Sequence, residues 1–147
     1  MPVWSRTALA LLIVMRWYDG AAAADSIVVT GVWMRPSIGA TGNSALYLNL
    51  FNAGPAEDAL VSVTSDAAAQ SQLHMTETDG AVVGMRAIAT LPLPVGAPVA
   101  LAPKGDHVML MGLTRSLKTG DHVAVELRFK IHAPMTVDAT VAMTPPQ

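Results

Sequence analysis

The chain has 147 residues, nine basic and eleven acidic side chains and a net charge of -2, which suits one domain and leaves no cationic patch for a nucleic-acid backbone. It has no cysteine, so no disulfide can staple it and no thiolate can serve as nucleophile, redox group or ligand. Any metal site must use His, Met, Asp or Glu. With no Ser/His/Asp arrangement and no phosphate-binding Gly loop in view, a non-enzymatic role is expected.

Residues 1–24 carry the pattern of an export signal: Arg6, the apolar run Thr7 to Met15, and a small-residue cleavage site at Ala21 to Ala24. Arg16 and Asp19 interrupt the stretch after the run, which is too short to span a bilayer with ease. Cleavage after Ala24 would release residues 25–147 as a single exported domain with no membrane insertion.

Beyond residue 25, alternation and turn signals replace helical periodicity. Ser26 to Trp33 predicts a first strand and Ser44 to Phe51 a second, the latter closed by Asn52-Ala53-Gly54-Pro55. Leu60 to Thr64 predicts a third. Gln70 to Thr78 and Ala81 to Ile88 flank Asp79-Gly80, a strong hairpin signal. Leu91 to Pro98 reads as a proline-rich loop, followed by a short strand over Val99 to Leu101. His107 to Leu113, "HVMLMGL", is a strand that places His107, Met109 and Met111 on one face. His122 to Ile131 alternates Val123, Val125, Leu127, Phe129 and Ile131 on one side, and Met135 to Met143 closes the chain. Short strands at this spacing predict an antiparallel β-sandwich.

If Asp79-Gly80 is a two-residue turn, Thr78 opposes Ala81, Glu77 opposes Val82 and His74 opposes Met85. Met75 then points the other way. Two His/Met pairs result, His74 with Met85 and His107 with Met109. Taken singly, such residues are more often satisfied core groups or gap fillers than ligands. Taken together, two imidazoles and two thioethers favour a soft ion of the Cu(I) type over Mg, Ca or structural Zn, and a blue-copper centre is excluded for want of Cys.

The spacing His74-x10-Met85-x21-His107-x-Met109 resembles the motif of the periplasmic Cu(A) chaperone family, PCuAC, and "DGAVVGMR", "HVMLMGL" and "LKTGD" are similar to that family too. The resemblance runs from about Val29 to Met143. It implies a cupredoxin-like Greek-key β-sandwich in the periplasm, binding one Cu(I) through His74, Met85, His107 and Met109 as a monomer. It further implies delivery of copper to the Cu(A) centre of cytochrome c oxidase subunit II, alongside a Sco-type thiol protein. Copper scavenging or tolerance without an oxidase client, and a metal-free adhesion or assembly domain, are the competing functions. Family members commonly carry an acidic residue near the first histidine, whereas Ser71-Gln72-Leu73 precede His74 here and Met75 follows it. Glu77 and Asp79 are the candidate outer partners of His74. Met111 is expected to shield the ion or pack beneath it, and Met75 is a lesser candidate ligand. His122 is expected to face solvent, while His132, Met135 and Met143 are either a secondary copper-binding tail or ordinary strand residues.

Overall fold

The computed structural model describes residues 26–37, 39 and 42–147, so the expected export signal lies outside the described residues. In chain order the strands are β1 (Ile27–Met34), β2 (Ser44–Asn52), β3 (Asp58–Thr64), β4 (Ala68–Asp79) and β5 (Val82–Ile88), then β6 (Leu91–Leu93), β7 (Pro98–Leu101), β8 (His107–Leu113), β9 (His122–Phe129) and β10 (Met135–Val141). They hydrogen-bond in the order β5-β4-β8-β2-β1-β10-β9-β3-β6, with β7 added to β2. The described residues are all-β, mostly antiparallel and cupredoxin-like. The sheet bends until β3 and β4, joined by a tight turn, lie close, and there the Ser71 hydroxyl donates to the Val63 carbonyl.

Period-two patterning builds this structure directly. In β9, Val123, Val125, Leu127 and Phe129 are buried while His122, Ala124 and Arg128 are exposed. Leu46, Leu48 and Leu50 of β2, Val108 and Leu110 of β8, and Ala139 and Val141 of β10 join them in one core. Each fully buried Leu contributes about 1.5–3 kcal/mol, so a core of this extent holds the fold without a disulfide.

The expected antiparallel architecture is observed, with one exception in its pairing: β1 and β10 run parallel, with Trp33 beside Thr140 and Met34 beside Val141. Both strands therefore exit at the same end of the molecule. The predicted Leu91–Pro98 loop contains β6, whose Leu91 and Leu93 are buried against β3 while Pro92 between them is exposed. Here burial of alternate leucines outweighs the proline signal, and proline is tolerated because β6 is an edge strand.

Candidate metal centre

The four ligands of the predicted motif, His74, Met85, His107 and Met109, sit on β4, β5 and β8. Strand β8 runs between β4 and β2, so His107 opposes His74 and Met109 lies between Gln72 on β4 and Ala45 on β2. The His74 and His107 rings are 5.5 Å apart at their centroids and tilted by 59°. His107 is only 8% exposed.

The hairpin register differs from the sequence expectation. Asp79 pairs with Val82, so the turn is Gly80-Ala81, and Met85 opposes Thr76 while His74 opposes Ala87. Gly80 supplies the positive φ of 60° and Ala81 needs none, which is the chemistry of a type II′ turn; the expected Asp79-Gly80 turn would need positive φ at Asp79. A slip of two residues preserves the face. Met85 thus remains on the His74 face as a diagonal neighbour rather than a direct partner.

Met85, His107 and Met109 line one cleft of about 610 Å³, together with Arg35, Pro36, Ser37 and the stretch from Gly42 to Ala45. His74 joins this group through its contact with the His107 ring. Among the described residues that line the cleft, Arg35 is the one with a formal charge. No three His, Cys, Asp or Glu side chains among the described residues are placed to hold a metal.

A turn sets the tautomer of His107. Ala102 to Gly105 closes with the Gly105 N–H donating to the Ala102 carbonyl at 2.9 Å, with Pro103 second and Lys104 third at φ 67°, the backbone of a type II turn. The Gly105 carbonyl then accepts from the Thr76 hydroxyl at 2.7 Å and from His107 Nδ1 at 3.1 Å. With its proton on Nδ1, His107 keeps the Nε2 lone pair for a ligand. The Asp106 carboxylate accepts the Thr76 N–H at 3.0 Å and ties β4 to this turn.

His74 has the opposite tautomer. Its Nε2 lies 3.2 Å from the Gln72 side-chain oxygen, an acceptor, so the proton is on Nε2. Nδ1 is left as a buried acceptor with no partner. A buried lone pair without a donor is costly, and a soft cation would satisfy it. Burial, and then the charge of His107, hold the His74 imidazolium below its ordinary pKa, which keeps the ring neutral for ligation.

Glu77 and Asp79 are not the partners of His74. Odd-numbered residues of β4 point to the other face, where Arg86 donates to Glu77 at 2.9 Å and its guanidinium lies 3.9 Å from the Met75 sulfur. Met111 is half-buried on the His107 face, opposite Gln70, and is not among the residues lining the cleft.

The expected tail is divided. His122 is exposed and pairs with Asp138 across β9 and β10 at 2.5 Å. His132 packs edge-on against Phe129, and Met135 lies half-buried against the core. Met143 alone lines the cleft with Met85, His107 and Met109.

Four supporting residues carry no signal in the spacing of ligand types. They are Gln72, Thr76, Gly105 and Tyr47, whose ring centroid lies 6.5 Å from that of His107 and 4.7 Å from that of Trp33. Only the two-residue step from Gln72 to His74 and on to Thr76, once β4 is assigned, places two of them on the ligand face.

The sequence pattern of the family described as "Putative lipoprotein LpqE-like" matches residues 27–141. A protein of Leifsonia xyli subsp. xyli, Lxx21020, carries the same lipoprotein description and is 36% identical over 107 residues, 72% of this chain; the match spans 63% of that relative's length. The copper-bound PCuAC domain from PmoF2 superposes with a TM-score of 0.67 at 26% identity, over 79% of this chain and 92% of that domain. The Cu(I) form of DR1885 from Deinococcus radiodurans gives a TM-score of 0.62 at 31% identity, over 82% of each chain.

Proposed function

Since the chain belongs to the LpqE-like family and has the fold of PCuAC domains, we propose that it is an exported copper carrier that binds one Cu(I) through His74, Met85, His107 and Met109. The observation that carries this reading is the pair of opposed histidines with complementary tautomers, Nδ1 of His74 buried without a partner and Nε2 of His107 left free, beside a cleft that holds both thioethers. The lipoprotein descriptions of the family and of the Leifsonia protein support export, and we place the mature chain in the periplasm after cleavage at Ala24.

Two imidazoles and two thioethers are neutral donors and leave the charge of Cu(I) uncompensated, with the Arg35 cation at the same cleft. An acceptor with thiolate ligands therefore has the thermodynamic advantage, and the ion flows towards it. The client we propose is the Cu(A) centre of cytochrome c oxidase subunit II, reached with a Sco-type thiol protein. In this scheme the chain holds and releases its cargo and catalyses no reaction.

An anaerobic Cu(I) titration against a colorimetric competing chelator tests the carrier role. One tight equivalent is expected, lost in the His107→Ala, Met109→Ala double variant. No competition by the unmutated chain would favour the metal-free assembly reading, which the exposed Val82 and Val83 on edge strand β5 support. Oxidase activity of a deletion strain at low copper tests the client: preserved oxidase with impaired copper tolerance would replace delivery by scavenging.

A further inference from the structure

The proposed four donors leave one thioether of the cleft unexplained. Met143 follows the last strand, lies outside the residues 27–141 matched by the family pattern, and lines the cleft with Met85, His107 and Met109. Its position follows from topology. Because β1 and β10 are parallel, the end of β10 emerges beside the end of β1, and the Ala142 N–H donates to the Met34 carbonyl at 2.9 Å. Immediately upstream, the Val141 N–H donates to the Asp121 carbonyl at 2.8 Å and the Gly120 N–H to the Val141 carbonyl at 2.9 Å. The backbone that presents Met143 is thus fixed to within one residue of its side chain.

Packing does not account for this residue. Met143 is 62% exposed, as Met85 is 65% exposed, whereas His107 beneath them is 8% exposed. The cleft is therefore graded from imidazole at its floor to thioethers at its mouth. A methionine has three rotatable bonds and a polarizable sulfur, so one anchored at the mouth can follow an ion over several ångströms while its backbone stays in place.

We propose that Met143 is a fifth soft donor of this site, holding a Cu(I)-type cation at the mouth of the cleft during loading and release. This rests on the copper reading above. It adds an exchangeable sulfur that lets one resident donor be displaced by an acceptor before the ion has left the protein. Only bonds between the ion and its donors form or break, each donor lost being replaced by Met143 or by the acceptor, and the ion keeps its oxidation state.

The test is methionine-methyl NMR of the full chain during anaerobic Cu(I) addition, with Met143→Leu to assign the signal, a swap that conserves volume. Chelator-driven release is then timed in both proteins. The Met143 methyl is expected to shift within the first equivalent together with those of Met85 and Met109, while Met75 stays put. Release from Met143→Leu is expected to be severalfold slower. If Met85 and Met109 shift and Met143 does not, or if the release rate is unchanged, Met143 is a bystander and the carrier reading stands without it. If none of the three shifts, the carrier reading itself falls and takes this inference with it.

Discussion

Strands β5 and β8 each bring a thioether to one cleft, yet they are built from opposite materials. β8 lies between β4 and β2, and its Val108 and Leu110 are fully buried, so His107 and Met109 are held by the core. β5 is the outermost strand, and every residue from Val82 to Ala87 is exposed. The proposed site thus has a pre-organised half and an adjustable half, the combination that the proposed carrier needs to select its cargo and still let it go. The contrast is broken most directly through stability. Leu110→Ala should cost about 2–5 kcal/mol, because its cavity opens in packed core. Val83→Ala, at 64% exposure, should stay within about 0.5 kcal/mol. Chemical denaturation of the two variants reads the difference, and equal losses would mean that β5 is packed in solution.

A smaller effect probes how the rigid half is held. Thr76 is not a proposed donor and lies opposite Met85 on the hairpin, while its hydroxyl and His107 Nδ1 share the Gly105 carbonyl. Thr76→Val keeps the shape and removes the hydroxyl, freeing the turn that fixes the imidazole. Outer-shell changes of this kind cost about 10–100-fold in metal affinity. Thr76→Val should therefore weaken Cu(I) binding by about tenfold while Val83→Ala leaves it unchanged, as measured by chelator competition. An unaltered affinity would show that Gly105 positions His107 without help from the Thr76 hydroxyl.

The two halves also differed in how legible they were. Alternation in "HVMLMGL" and "HVAVELRF" places β8 and β9 and their buried faces, because a period of two survives any detail of the turns. The faces of β4 and β5 were legible for the same reason, but their register was not: Asp79-Gly80 and Gly80-Ala81 are both two-residue turns that use a positive φ at Gly80, and what separates them is the φ of Asp79, which the first needs positive and the structure does not make so. The short strand β6 was hidden by Pro92. The parallel β1/β10 pair leaves no local trace, since its residues are over a hundred positions apart, and with it the route of Met143 into the cleft was invisible. Outer partners were misread where distance in sequence was weighed before face. Glu77 is close to His74 in the chain but on the wrong side of the strand, whereas Gln72 is on the right one.

Proton uptake gives the finest test of the half-buried His74 imidazole. His74 is held below its ordinary pKa of 6.5 by burial and secondarily by His107. In the unfolded chain it titrates at about 6.5. As pH falls below that value the unfolded state takes up a proton that the folded state still refuses, so stability drops; it stops dropping at His74 once pH passes below the folded pKa. Above about pH 6.5 both states are neutral there and the effect vanishes. Asp58 at the far end of the fold acts in a separate, more acidic window. Burial pushes its carboxyl up, but N–H groups of His132, Ala59 and Ile131 more than offset this and hold it below 3.8, so its contribution is present above that value and lost as pH falls through the lower folded one. Denaturant titrations of the metal-free chain between about pH 7.5 and 5 isolate the histidine window from the carboxylate one. The unmutated chain should lose stability across it, and His74→Gln should lose less. Parallel curves for the two proteins would locate the acid sensitivity in another group and leave the His74 imidazole as readily protonated folded as unfolded.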